Sequence, residues 1–342
     1  MVLLLILASC AGEGKAPLTV PVVAAPETSA TPVAASSAVV STALAAEPPV
    51  EPAAPIPVDA VAELFGADAK LAHARCPGEA PEIGCLLSLR YEGDEAALKV
   101  ATALQRDLGV LAGVLPEQMM DGGYRGLLHL DPVVPTGRER THLAWVSAAL
   151  FDIDAFVRAI AERAKGPVAY SARPRSIRFF RSRGAHTPAA FAGSDVIAYN
   201  VAGSINTSAI TVRETLFHEL FHLADEHAAG WSESALGELH RAIVEKCGAK
   251  TACLRPFAPH DTQVRGGTYY AFQPGNGPAE YAAELAVRYF RETRAALAEK
   301  RFEHAPFKCG GPENERAWKA LVDRMFGGVD ATPACDPPKK PW

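Results

Sequence analysis

The sequence predicts an α+β fold, and three observations carry that expectation. Short runs near 176–181 and 195–201 are rich in β-branched and aromatic residues and read as strands. Longer stretches near 59–74, 94–112, 141–165, 212–229, 232–247, 279–300 and 313–326 carry helical periodicity. Both strands come just before the helix over 212–229, while the region 58–170 is mainly helical. The hydrophobic fraction of 49% supports a real core.

In chain order, Met1 to Ala8 is apolar, and Leu7-Ala8-Ser9-Cys10 fits a bacterial lipobox. That pattern implies cleavage before Cys10 and acylation of its thiol, so residues 1–10 are expected to be a lipoprotein signal peptide ending in the lipidated Cys. The alternative is an ordinary secretory signal with an incidental Cys. No stretch reaches about 20 apolar residues, so a spanning helix is not expected. Residues 11–57 are dominated by Ala, Pro, Ser, Thr and Val, with no Lys or Arg between Lys15 and Lys70. They read as a disordered, partly extended tether. The expected location is the bacterial cell envelope, with the lipid anchor as the membrane contact and the chain a monomer. Ala11 after the lipid Cys, rather than Asp, points to the outer membrane. Secretion is the alternative.

Beyond the tether, 58–170 reads as a mainly helical region without recognisable chemistry. It is either an accessory domain or a helical part of the domain that follows, 171–342. Removing Cys10 leaves six cysteines, Cys76, Cys85, Cys247, Cys253, Cys309 and Cys335. An even number in an exported chain suggests disulfides, and sequence neighbours suggest 76–85, 247–253 and 309–335. The net charge is −5 and no long basic run occurs, so nucleic-acid binding is not suggested. Arg173, Arg175, Arg178, Arg181 and Arg183 alternate with Ile177, Phe179 and Phe180, marking the exposed face of a strand rather than a binding patch. There is no internal repeat, phosphate-cradling Gly-rich loop or G-x-S-x-G elbow.

The chemistry concentrates on the helix over 212–229. His218-Glu219-Leu220-Phe221-His222 reads H-E-x-x-H. Two imidazoles four residues apart share one helix face and can reach a single ion, while Glu219 can reach a water held by that ion. Two neutral nitrogen ligands, an open position and a carboxylate base are the parts of a zinc hydrolase. Thr211-Val212-Arg213-Glu214 has the capping-box pattern that opens a helix. Leu216, Phe217, Leu220, Phe221 and Leu223 surround the pair with apolar surface. The bland alternative is two core histidines satisfied by backbone groups.

A third ligand has two sources. His227 lies five residues after His222, but the metzincin pattern needs Gly at 225 and His at 228, where Asp225 and Ala228 stand. Without the Gly turn the helix carries His227 about 140° around from His222. The second source is the helix starting Pro278-Ala279-Glu280-Tyr281-Ala282-Ala283-Glu284. Glu280 and Glu284 share a face at i and i+4, and a carboxylate near a helix N-terminus is favoured by the dipole. Asp225, seven residues beyond His218, could accept the free N–H of a ligand His and fix its tautomer.

H-E-L-F-H followed by P-A-E-Y-A-A-E-L-A, with Tyr269-Tyr270 before it, resembles the gluzincin metallopeptidases, and among them the family of the anthrax lethal factor catalytic domain. The resemblance spans roughly residues 195–300. It implies a zincin-like domain: a small sheet, an active-site helix, and an edge strand able to pair with an extended peptide. By position, His218, His222 and Glu280 match the zinc ligands and Glu219 the base. Glu284 matches a supporting carboxylate, and Tyr270, or else Tyr269, the oxyanion donor. Ala282 stands where that family has an aromatic residue. The expected function is a zinc metalloendopeptidase acting on peptide or protein substrates through a zinc-bound water, with Glu219 as general base. The alternatives are a non-catalytic envelope lipoprotein that uses a degenerate zincin domain for binding, or a zinc hydrolase of non-peptide amides. The intact Glu219 argues against degeneracy, because a binding module needs no base.

Overall fold

The computed structural model describes residues 59–78, 81–122, 126–170, 173–264, 267–302 and 304–335. Cys10, the signal and the tether lie outside the described residues. Asp59 opens helix α1 (Ala60–Phe65) by accepting hydrogen bonds from the N–H groups of Val61 and Ala62. The helix expected over 59–74 breaks at Gly66, whose φ of 51° ends α1 before a 3₁₀ turn and α2 (Ala69–Arg75). Helix α3 (Ile83–Arg90) was not expected from the sequence.

Helix α4 (Glu95–Leu108) stops four residues before its expected end. Gly109, at φ 72°, gives its N–H to Gln105, and Val110 bonds back to Leu104. This left-handed Gly cap frees the apolar run that follows to form strand β1 (Leu111–Val114). Next come β2 (Gln118–Asp121), β3 (Leu127–Pro132), α5 (Arg140–Ala161), β4 (Ser176–Ser182), β5 (Ala190–Gly193) and β6 (Val196–Asn200). The C-terminal half is α6 (Ala209–His227), α7 (Trp231–Cys247), α8 (Thr251–Leu254), α9 (Pro278–Leu297) and α10 (Pro312–Met325).

One mixed sheet organises the α+β fold, and β4 is its centre. The first half of β4 pairs parallel with β1 and its end pairs antiparallel with β3, which forms a hairpin with β2. On the other side β6 runs parallel to β4, and β5 closes that edge antiparallel to β6. The strands within 111–132 and those after 176 thus build a single sheet, and the described residues from Asp59 to Cys335 belong to one compact unit. Side chains alternate across it. Ile177, Phe179, Ile197 and Tyr199 enter the main core with the helices, whereas Phe180 and Ala198 join Leu115, Leu128 and Leu130 in a smaller core on the opposite face.

The arginines of β4 and its approach do not form a bare exposed face; all five are ion-paired. Arg173 meets Asp154, Arg175 and Arg178 meet Glu63, Arg181 meets Glu139, and Arg183 meets Asp131. Glu63 is 4% exposed and takes Ser176 Oγ at 2.6 Å and Arg178 Nε at 2.7 Å, which ties α1 to β4. Gly113 makes this docking possible, because a Cβ there would run into the Glu63 carbonyl oxygen. Burial alone would raise the Glu63 carboxyl, but the hydrogen bonds and charge of Arg178, Ser176 and Arg175 hold it below its ordinary value. Its stabilisation is therefore present above the ordinary carboxylate pKa and is lost as pH falls through the lower folded value. Glu63→Gln is expected to cost about 2 kcal/mol of unfolding free energy at neutral pH, because it strands half-buried Arg178, and less in acid. Denaturant titration of both proteins at neutral and acid pH checks this.

The cysteines pair as their sequence neighbours suggest: Cys76–Cys85, Cys247–Cys253 and Cys309–Cys335 lie at S–S distances of 2.00, 2.03 and 2.12 Å. Among the described residues no helix is long and apolar enough to cross a membrane.

Candidate metal centre

Helix α6 starts three residues earlier than expected. Ser208 is its cap: Ser208 Oγ accepts the N–H of Thr211 and Thr211 Oγ1 accepts the N–H of Ser208, each at 3.2 Å. The expected Thr211–Glu214 box does not form, because both residues already lie inside the helix. Glu214 instead takes a fork from Arg291 of α9 at 2.5 and 2.7 Å. Asp152 of α5 holds Arg213 of α6 and Arg294 of α9, each at 2.9 Å. Beneath these ion pairs the Phe217 ring stacks on Tyr170 and Phe290, with centroids 4.6 and 4.3 Å away. The Tyr170 hydroxyl also donates to the Phe217 carbonyl at 2.8 Å. The contacts of α6 with α9 climb in opposite directions, Glu214 to Arg291, His218 to Glu284, His222 to Glu280. The two helices therefore run antiparallel with their polar faces opposed.

Three donor atoms converge between them. His218 Nε2 lies 3.1 Å from both His222 Nε2 and Glu280 Oε2, and His222 Nε2 lies 3.6 Å from Glu280 Oε2. Tetrahedral zinc bonded at about 2.0–2.1 Å separates its ligands by about 3.3 Å, so the triangle fits that ion. The chemistry of the set fits as well. Two imidazole nitrogens and one carboxylate leave a fourth position for solvent or substrate, the composition of catalytic rather than structural zinc. Among the described residues one other trio of donors lies this close, Glu117, His129 and Asp131 beside the β2–β3 hairpin. It reads as an ion-pair network: His129 Nε2 meets Glu117 at 2.6 Å, and Arg183 already forks the Asp131 carboxylate.

The electrostatics follow from burial and proximity. Burial alone would raise the Glu280 carboxyl, but hydrogen bonds and charge from His218 and His222 hold it well below the usual carboxylate range. Burial disfavours a charged His218, yet Glu280 and Glu284 outweigh it and lift the imidazole well above its ordinary value. Glu219 is 8% exposed, and burial raises its carboxyl against the lowering effect of the two histidines. Burial and then the nearby carboxylates Glu280 and Glu219 push the Tyr270 hydroxyl up, so it stays protonated and able to donate.

The two tyrosines separate clearly. The Tyr270 ring lies 6.0 Å from that of His218, and its hydroxyl is close enough to the Glu280 carboxylate to feel its charge. Tyr269 is 2% exposed and packs in the core, its backbone bridged to Gln263. The chain turns from extended at Tyr269 into a 3₁₀ turn at Tyr270–Phe272, and it is the Tyr270 ring that faces His218.

Around the donors, Glu284 holds the supporting place expected of it, with Oε1 3.4 Å from His218 Nδ1. Asp225 does not. Its carboxylate accepts the N–H of Ser232 at 2.8 Å and the Ser232 hydroxyl at 2.5 Å, capping the first turn of α7. Both carboxylate oxygens are taken by Ser232, because α6 ends two residues later and the chain turns back into α7 at Trp231. His227 is also not a ligand. The helix continues unbroken through it, and its ring emerges half-exposed with Nε2 2.8 Å from Asp195 Oδ1 in the β5–β6 turn.

His260 is the residue that sequence reasoning missed. It lies in the loop before α9, with Nδ1 3.6 Å from Glu284 Oε2 and accepting the N–H of Thr262 at 3.1 Å. A lone loop histidine carries no periodic or spacing signal that could have found it. Comparison with known proteins gives no family model, no curated protein and no solved structure that matches the chain.

Proposed function

We propose that the protein is a zinc-dependent metallopeptidase of gluzincin type, with His218, His222 and Glu280 holding the ion. The observation that carries this reading is the convergence of three donor atoms beside a buried carboxylate, Glu219, and a protonated tyrosine. Bound zinc supplies Lewis acidity, polarising the scissile carbonyl and acidifying the attacking water.

The chain's own residues do the rest. Glu219, raised by burial, is placed to take a proton from the attacking water and return it to the leaving amine. The Tyr270 hydroxyl donates to the oxygen of the carbonyl as it becomes an oxyanion. Glu284 is placed to accept a hydrogen bond from the Nδ1–H of His218, which leaves Nε2 as the donor nitrogen toward the ion. The aromatic stack behind Phe217 and the Arg291–Glu214 fork hold both donor helices in one geometry before substrate arrives. The lipobox-like Leu7-Ala8-Ser9-Cys10 supports an envelope location through acylated Cys10, with residues 11–57 as spacer.

Cleavage of a peptide library tests the function. The purified chain should cleave some members, lose that activity on treatment with a zinc chelator, and regain it when zinc is restored. A fully zinc-loaded protein that cleaves no member would overturn the reading and favour a binding role.

A further inference from the structure

Among the described residues strand β5 is one edge of the sheet, and the turn that joins it to β6 is unusual. Its two central residues, Ser194 and Asp195, both have positive φ, 52° and 63°. Two-residue hairpins favour this conformation, but Asn-Gly is the pair that adopts it at little cost. Here neither residue is Gly or Asn, so something outside the turn must stabilise it.

Three contacts do so. Glu226 Oε2 accepts the N–H of Ser194 at 3.2 Å, His227 Nε2 meets Asp195 Oδ1 at 2.8 Å, and the Asp195 carbonyl accepts the N–H of Arg175 at 2.6 Å. Two of the three come from the last turn of α6, the helix that carries the histidine donors. Glu226 lies one turn beyond His222, which itself lies one turn beyond His218, so all three share a helix face.

We propose that Glu226 and His227 are positioning residues that fix edge strand β5 at a set distance from the donor face of α6, so that an extended peptide adding to the free edge of β5 is held in register with the metal centre. The inference rests on the metallopeptidase reading. Pairing of an extended peptide with an edge strand is what the zincin resemblance already implies; the new element is the anchoring of that strand by Glu226 and His227. Neither residue touches the reacting atoms. Their loss should loosen substrate placement without removing metal or base.

The test is the double variant Glu226→Ala with His227→Ala, assayed on a cleaved peptide of six or more residues. KM is expected to rise about tenfold, with kcat and zinc content close to wild type. Hydrogen exchange of the Ser194 amide should quicken whether or not turnover is measured. Placing the self-sufficient pair Asn-Gly in the turn (Ser194→Asn with Asp195→Gly) in the same background should restore KM, a rescue that a general loss of stability would not show. Unchanged KM and unchanged exchange would overturn the inference, as would a parallel fall in zinc content and kcat that the Asn-Gly turn fails to rescue. If wild type cleaves nothing, the metallopeptidase reading has failed instead, and the exchange experiment still tests the anchoring.

Discussion

Replacing Glu219 by Gln is expected to lower kcat/KM on a cleaved peptide by about 10³, within the range removed when a general base is lost. The substitution keeps the shape of a side chain that is 8% exposed, so packing on α6 should survive. It removes the carboxylate proposed to accept the water's proton, and the neutral amide cannot take its place. Because Glu219 is not one of the three converging donors, zinc content should stay at the wild-type level. A variant that loses activity and zinc together would mean that Glu219 supports the site structurally. Parallel kinetics and metal analysis separate the two.

Zinc affinity should climb steeply with pH. In the metal-free protein Glu280 and Glu284 outweigh burial and hold a proton on His218, well above the ordinary imidazole value. That proton stabilises the metal-free fold fully below the unfolded histidine's pKa, and the contribution is lost as pH rises through the higher folded value. Zinc needs the neutral ring, so binding must expel the proton. Apparent affinity is then expected to rise about tenfold per pH unit until the folded-state value is passed. The increment that zinc adds to thermal stability should be correspondingly larger at about pH 8 than at about pH 6. Chelator-competition titrations across this range check it, and a flat profile would mean that no proton is displaced.

The donor set was legible in the sequence because helices make it local. His218 and His222 share a face by spacing alone, and Glu280 and Glu284 do so on a second helix beginning at Pro278. Helix identity was similarly legible, since periodicity survives small errors at the ends. Elements controlled by a single backbone event were not. Gly109 ends α4 and turns an apolar run into β1, and Gly66 splits the first helix. Strand β5 is only four residues long, and its turn is stabilised by Glu226 and His227 from a distant element, so no local signal marks it. The same long-range origin explains the reassigned polar residues. Spacing places Asp225 on the His218 side of α6, but only the packing of α7 reveals Ser232 as its partner. His260 reaches Glu284 through a loop whose path is set by tertiary contacts.

The most direct measurement is the zinc content of purified wild type beside His218→Ala and Glu280→Ala, each first shown to be folded. A centre built from His218, His222 and Glu280 predicts one zinc per wild-type chain and its loss from both variants. A wild type that binds no zinc, or a Glu280→Ala protein that keeps it at full affinity, would contradict that centre.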